Sequence, residues 1–295
     1  MPTVHETAQK LSIMSFNIAH ARGLSIYQGF HSTNGIKKNL ERIAQLIKLH
    51  SPDIVAFQEI DQSSHWNRHI DLLKHIQEES GYPHAEHGIH NTRFGRKPLC
   101  YGNAFLSKYP ISECIVTPFG NRNLGEKGFM DARFIVGFRS IDIINLHLDF
   151  GSRRARIAQI ETILERIKRF SESHAQDTPP IICGDFNTCS RRFGDAVRQF
   201  LIKVAHHTPY TCHPQNKRTF PAYLPSRGLD FVLVPKPFTV SRAEVIKSFA
   251  SDHLPIQIDV ELPGTPTRLN RLGARSLEKG RLEYLPLDKR KPQTD

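Results

Sequence analysis

What most constrains this chain is a recurrence: apolar runs of strand length that end abruptly in a polar or ionisable residue. In the clearest case Pro180-Ile181-Ile182-Cys183 runs directly into Gly184-Asp185-Phe186-Asn187. A run of this kind reads as a buried strand, so the residues after it fall where that strand reaches the rim of its sheet. There a carboxylate and a carboxamide share one place. Asp can hold or orient an attacking water, and Asn is a neutral donor to a phosphate oxygen, a pairing that suits metal-assisted attack on phosphorus. Taken alone, the tetrapeptide fits a tight turn equally well, because Gly, Asp and Asn are favoured in turns for backbone reasons.

The pattern returns along the chain. Ser15-Phe16-Asn17 closes a first strand with an amide, and Ile54-Val55-Ala56-Phe57, entered through the turn Ser51-Pro52-Asp53, ends in Gln58-Glu59. Glu59 is therefore a candidate metal ligand. Ile143-Ile144-Asn145-Leu146-His147 places an imidazole near a strand end, where it could meet a phosphate or a leaving group. Asp230 opens the apolar run Phe231-Val232-Leu233-Val234, and Ser251-Asp252-His253 supplies an acid and an imidazole side by side. Six such clusters in one chain point to convergence on one site.

The ordered set Asn17, Gln58-Glu59, His147, Gly184-Asp185-Phe186-Asn187, Asp230 and Ser251-Asp252-His253 resembles the endonuclease/exonuclease/phosphatase superfamily. That superfamily includes pancreatic-type deoxyribonucleases, abasic-site endonucleases, neutral sphingomyelinases and inositol-polyphosphate 5-phosphatases. The resemblance spans about residues 11 to 262 and extends to Gly102-Asn103-Ala104-Phe105 and to Arg156-Ile157-Ala158-Gln159. It implies an α/β fold, a four-layer sandwich with two central, mostly antiparallel β-sheets flanked by helices and built from two similar halves. It also implies a phosphoester substrate and one or two magnesium or manganese ions, hard cations that suit oxygen ligands. By resemblance Glu59 is the principal ligand, assisted by Asn17 and Asp252. Asp185 orients or deprotonates the water, Asn187 and His147 contact the phosphate, and His253, held by Asp230, stabilises charge growing on phosphorus.

Chemistry of this kind is shared across nucleic acids, lipids and small molecules, so it does not name a substrate. Thr188-Cys189-Ser190-Arg191-Arg192 after Asn187, and Pro225-Ser226-Arg227-Gly228-Leu229 before Asp230, depart from the patterns of the 5-phosphatases and abasic-site endonucleases. The preferred reading is a phosphodiesterase or phosphatase acting on a small molecule or lipid headgroup. The alternative is a DNA or RNA nuclease, for which Arg93, Arg96 and Lys97 with Arg191 and Arg192 could line a basic groove.

The remaining features set the frame. Apolar residues at Leu40, Ile43, Ala44, Leu46 and Ile47 lie opposite Lys37, Lys38, Glu41 and Lys48, predicting a helix over about 35 to 50. A second helix is predicted from Ser152, its N-cap, to Ser171, with others at about 67 to 80 and 194 to 202. Strands are expected at 11–17, 54–58, 84–87, 102–107, 133–138, 141–147, 180–183, 230–234, 242–247 and 256–261. No apolar run approaches the ~18 residues of a membrane span. Met1 to Lys10 is a polar extension without a signal-peptide pattern, which makes the cytoplasm the expected compartment. The five cysteines show no paired spacing. Cys183 is expected in the core, and Cys189 and Cys212 are candidates for exposed thiols near the site. From Pro263 to Asp295 the chain turns to Thr, Pro, Arg, Lys and Gly. This basic tail carries part of the formal +11 charge, which suits a nucleic acid or an anionic membrane surface.

Overall fold

The computed structural model describes residues 9–120, 125–173, 178–188, 196–205 and 207–263. Cys189, Arg191, Arg192 and nearly all of the extension and tail lie outside the described residues. The first unit is a strand–helix–strand crossover: β1 (Lys10–Asn17), α1 (Thr33–His50) and β2 (Ile54–Asp61). Its strands pair in parallel, with Phe16 beside Phe57 and Asn17 beside Gln58. Then come α2 (Leu72–Ser80), β3 (His84–Arg93), β4 (Leu99–Ser107), β5 (Ile111–Pro118) and β6 (Gly128–Val136). A second crossover follows: β7 (Arg139–His147), α3 (Arg153–Ser173) and β8 (Ile181–Asp185), again with parallel strands. The described chain closes with α4 (Ala196–Val204), β9 (Tyr210–His213), β10 (Asp230–Pro235), β11 (Thr239–Val245) and β12 (Ile256–Glu261).

Two six-stranded sheets result, ordered β11-β12-β1-β2-β4-β3 and β5-β6-β7-β8-β10-β9. Each holds one central parallel pair, β1/β2 or β7/β8, and every other neighbour is antiparallel. The sheets have the same plan: a hairpin, the crossover pair, then two more antiparallel strands. Three apolar clusters separate four layers. Ile13, Ile54 and Ile258 of one sheet meet Met130, Ile143 and Val232 of the other in the middle. Helices α1 and α2 cover the first sheet through Leu40, Ile43, Ile47 and Ile76. Helices α3 and α4 cover the second through Ile160, Ile163 and Phe200. The α/β sandwich implied by the resemblance is therefore present.

Local signals explain the helices. In α1 the predicted stripe is buried at Leu40, Ile43, Ala44 and Ile47, and Ser32 Oγ caps the N-terminus by accepting from the Gly35 amide at 3.1 Å. In α3 the Ser152 hydroxyl accepts from Ala155 N at 3.2 Å, as its N-cap position predicts. Strands β5 and β9 had no counterpart in the sequence reading. Both are edges of the second sheet, and their half-solvated residues lack a continuous apolar run. β3 continues to Arg93, well past the expected 87, and β6 begins at Gly128 rather than 133. α2 starts at Leu72, five residues later than expected, where Asp71 caps it by accepting from Lys74 N at 2.9 Å.

One backbone position is decisive for placing the site. Gly184 has φ +140°, and a Cβ built there would lie 1.9 Å from the Leu146 carbonyl oxygen on the neighbouring strand. No side chain fits, because the obstacle is backbone at the centre of the β7/β8 pair. Gly184→Ala should therefore destabilise the fold by at least about 3 kcal/mol. An unchanged thermal melt would show that the two strands can separate locally.

Candidate active site

Parallel pairing sends the C-terminal ends of β1 and β2 to one rim, and those of β7 and β8 to the same rim from the opposing sheet. A buried amide cluster holds the two sheets together beneath it. Asn145 Nδ2 donates to the carbonyls of Phe57 (2.8 Å) and Ala104 (3.1 Å), and its Oδ1 accepts from Gln58 Nε2 at 2.7 Å. Asn103 Nδ2 donates to the Asn145 carbonyl at 2.9 Å. With no water to compete, each of these groups requires its partner, so the relative height of the two sheets is set.

Above this floor Asp185 sits between four predicted residues. Its Oδ2 accepts from Asn17 Nδ2 at 3.0 Å and lies 3.5 Å from His147 Nε2 and 3.8 Å from His253 Nε2. Its Oδ1 accepts from the Asn187 amide at 2.8 Å. The tetrapeptide is thus both a turn and a site: one carboxylate oxygen forms the turn and the other faces the opposing sheet. Asn187 takes a left-handed backbone, φ +50°, and donates through Nδ2 to the Leu148 carbonyl at 3.0 Å. The intervening Phe186 is fully buried edge-on against Phe231 and anchors the turn.

His253 is held from behind, its Nδ1 lying 2.9 Å from Asp230 Oδ2. Burial alone would lower the imidazole pKa. The charges of Asp230 and Asp185 and the hydrogen bond that Asp230 accepts from Nδ1 outweigh it and push the pKa up to about 10. Burial raises the Asp185 carboxyl to about 7. The nearby Asp230 adds to that rise, while His253 and the Asn187 amide oppose it. A carboxyl poised near neutrality is matched to proton abstraction at neutral pH.

Glu59 stands across the cavity on a bulge in β2, where pairing with β4 slips between Phe57 and Ile60, and its φ is +52°. The bulge turns its side chain toward the rim. Burial raises its pKa, but Lys127, His20, His147 and Arg22 together hold the carboxyl well below the usual carboxylate range. Lys127 Nζ lies 3.4 Å from Glu59 Oε1 and 2.9 Å from His147 Nε2. Burial and the Lys127 charge keep His147 well below the ordinary histidine value, so it faces that ammonium as a neutral acceptor.

Glu59, His147, Asp185, Asn187, Asp252 and His253 line one cavity of about 300 Å³, together with Arg22, Lys127, Phe150, Phe220, Arg227 and Leu229. Two predicted residues stand behind its wall: Asn17 beneath Asp185, and Asp230 beneath His253. Cys212 is half-buried on β9 against the α4 layer and does not line the cavity. Cys183 is in the central core. Sequence reasoning missed Arg22, Lys127, His20 and Asp61. Arg22 Nη2 lies 2.5 Å from Asp252 Oδ2, while its Nη1 is buried without a hydrogen-bond partner among the described residues. His20 Nε2 lies 3.5 Å from Glu59 Oε2. Its Nδ1 is 2.7 Å from Asp61, which also accepts from Trp66 Nε1 and Asn67 Nδ2. Of these, Lys127 had a signal: it precedes β6 as His253 precedes β12, at equivalent places in the two half-folds.

The sequence matches the model of the Endonuclease/Exonuclease/phosphatase family over residues 14–253. The chain belongs to this family. Solved structures of similar fold include an endonuclease/exonuclease/phosphatase from Beutenbergia cavernae (20% identity, TM-score 0.68, covering 88% of this chain and 73% of that one). A mannosyl-6-phosphatase of Bacteroides thetaiotaomicron aligns at 16% identity and TM-score 0.64, over 85% of this chain and 100% of that one. The human nocturnin catalytic domain aligns at 16% identity and TM-score 0.59, over 86% of this chain and 94% of that one. At such identities the likeness establishes the fold. Members of the family are hydrolases of phosphoester bonds, generally dependent on a divalent metal.

The site residues fit such a metal. Glu59 and Asp252 are hard anionic oxygen donors at one cavity, close enough that the Glu59 charge raises the Asp252 pKa after burial has done so. The tightest group of potential ligands among the described residues is instead Asp185, Asp230 and His253. There, however, the His253 Nδ1 contact with Asp230 already occupies two of the three partners. No helix among the described residues is long and apolar enough to cross a membrane.

Proposed function

We propose that this protein is a divalent-metal-dependent phosphodiesterase or phosphatase acting on a small molecule or lipid headgroup. The observation that carries the reading is the polarity of the cavity. Carboxylates of Glu59 and Asp252 stand beside Arg22, Lys127, Arg227 and protonated His253 in one small space. An oxygen-ligated cation suits the first group and a phosphoryl group the second. The buried, unpartnered Nη1 of Arg22 lacks an acceptor that a phosphate oxygen would supply.

In this reading Asp185, its carboxyl placed by Asn17, takes the proton of the attacking water as that oxygen bonds to phosphorus; the P–O bond opposite breaks, and the alcohol oxygen leaves with the bonding pair and takes a proton from solvent. His253, fixed by Asp230, donates through Nε2 to a non-bridging oxygen as charge grows there, and Asn187 and His147 contact the phosphate. Arg22 and Lys127 offset the negative charge that gathers on the phosphoryl oxygens in the transition state. Glu59 and Asp252 would hold a magnesium or manganese ion, which supplies Lewis-acid polarisation of the phosphoryl oxygen when bound, whereas the Asn17 amide oxygen, expected to assist them, is taken up by the Ala19 amide at 3.0 Å. Hydrolysis screened over simple phosphodiesters, phospholipids, inositides and nucleic acids, with and without magnesium, tests the proposal. Absence of turnover on every phosphoester would defeat it.

A nuclease remains the second reading, favoured by the exposed Arg93, Arg96 and Lys97 at the tip of the β3–β4 hairpin, on the catalytic rim. It requires nucleic-acid binding that weakens steeply with salt. The cytoplasmic placement is likewise our inference, supported by unpaired Cys100, Cys114, Cys183 and Cys212. We also propose that residues up to Leu262 form the catalytic domain. Truncation after Leu262 should leave hydrolysis of a small soluble ester within about twofold, because every site residue precedes it; collapse of the melting transition would move the boundary.

A further inference from the structure

Large apolar side chains are exposed at thirteen places among the described residues, and nine of them lie on the rim that carries the cavity. Four of these nine, Leu24, Ile26, Tyr27 and Phe30, are on the loop after β1. That loop is tied to the segment following Glu59 by Gln28 Nε2 donating to Asn67 at 3.1 Å, and to Ser251 by a bridge from Gly23. Phe94 is at the tip of the β3–β4 hairpin, at the end where Tyr101 pairs with Asp61. Phe249 is two residues before Ser251, whose hydroxyl donates to the Asn17 carbonyl. Tyr223 and Leu224 follow Ala222, whose amide bonds to the Asp252 carbonyl, and Phe150 lines the cavity itself.

The remaining four are scattered: Leu49 and Phe138 at the opposite end, Ile115 on an edge strand and Ile202 on α4. Single exposed apolar residues of that kind are ordinary, whereas a ring of them around a catalytic mouth is not. Ile26 is 86%, Phe30 83% and Phe94 86% exposed, a costly arrangement in water unless something covers it.

Basic residues accompany three of the four apolar tips, the loop after β1 being the exception. Arg93, Arg96 and Lys97 flank Phe94, Lys217 and Arg218 belong to the loop that carries Tyr223 and Leu224, and Lys247 precedes Phe249; all are exposed. Apolar side chains that can enter the acyl boundary, set among cations that meet anionic headgroups, match an anionic bilayer in both respects. Stacking on bases would use the aromatics but leave Leu24, Ile26 and Leu224 without a role.

We propose that the catalytic rim docks on an anionic phospholipid surface, with the loop after β1, the β3–β4 hairpin tip and the loops before β10 and β12 entering the interface. The site would then face headgroups directly, so its substrate is a phosphoester presented at a bilayer. This last step rests on the phosphoester-hydrolase reading, whereas the docking itself does not.

The test uses the full chain and vesicles of equal parts phosphatidylglycerol and phosphatidylcholine, compared with phosphatidylcholine alone. Sedimentation should show binding to the anionic vesicles, weakened by salt. The triple variant Ile26→Ser, Phe30→Ser, Phe94→Ser should lose at least about tenfold in partitioning. So should the pair Leu224→Ser, Phe249→Ser, from the other side of the mouth. Both should keep the wild-type melt and hydrolyse bis(4-nitrophenyl) phosphate within about twofold of it, since none of these side chains lines the cavity. Wild-type protein that ignores anionic vesicles, or variants that bind them unchanged, would overturn the docking. Variants that instead lose affinity for single-stranded oligonucleotides, with no vesicle binding in the wild type, would replace it with a nucleic-acid platform. Vesicle binding without hydrolysis of any phosphoester would leave the docking standing and defeat the enzymatic reading.

Discussion

Glu59→Gln should lower phosphoester hydrolysis by roughly three orders of magnitude, and chelation of divalent ions should do the same to the wild type. The substitution is nearly isosteric and leaves the bulge intact, so its effect is one of charge. Glu59 is the carboxylate toward which Lys127, His20, His147 and Arg22 direct positive charge. With glutamine there, those cations remain without the anion that balances them, and the cavity loses its strongest oxygen donor for a metal. Wild-type activity should return on adding magnesium or manganese after chelation, while the variant should stay low at the same concentration. The variant should melt lower in metal-free buffer, because its cations are left unbalanced, yet keep the wild-type circular dichroism at the assay temperature, which separates loss of chemistry from loss of fold. A Glu59→Gln enzyme turning over at the wild-type rate without metal would sink the assignment.

The pair formed by Asp230 and His253 should show the other large effect. Asp230→Asn and His253→Ala should each reduce turnover by about 10²- to 10⁴-fold, and the double variant should be little worse than either single one. Non-additivity is expected because Asp230 acts through the imidazole: its oxygens lie 2.9 and 3.1 Å from Nδ1, and it is shut behind the cavity wall. The asparagine variant has a second signature. Asp230 is the leading influence opposing the effect of burial on His253, so its removal should bring the imidazole pKa down from about 10, read by NMR titration. The imidazolium would then be lost at a lower pH, and the loss of activity should begin earlier on the alkaline side. Two multiplicative losses with an unmoved imidazole would show that the residues work separately.

The chemistry of the site was more legible in the sequence than its wiring. Asn17, Glu59, His147, Asp185 and Asn187 each close an apolar run or follow it within a few residues, and only a short menu of residue types serves a metal or phosphate at such a place. Arg22, His20 and Asp61 offered no comparable signal. Arg22 follows a short turn, and Asp61 lies beyond the point where the apolar run of β2 was expected to end. The bulge at Glu59 and the left-handed backbone of Asn187 were equally hidden, since neither is glycine and both conformations are imposed by neighbours. The same holds for β5 and β9. Their strand character comes from the ladders of β6 and β10, not from any pattern of their own.

Apolar patterning and residue type by themselves determined which segments form most of the strands and helices and that polar or ionisable residues close several of those strands; the sandwich and a phosphoester chemistry for the strand ends came only from the resemblance of the ordered motifs to a family. The local readings depend on burial of apolar runs and the donor chemistry of single side chains, rules that act over a few residues. Only the tertiary structure decided that Asn17 and Asp230 stand behind the wall while Lys127 and Arg22 enter the cavity. It alone set the titration of Asp185 and His253 and brought nine exposed apolar side chains to the catalytic rim. Those outcomes depend on pairs far apart in sequence, 168 residues for Asn17 with Asp185 and 230 for Arg22 with Asp252, and on the low dielectric that closing two sheets creates around them.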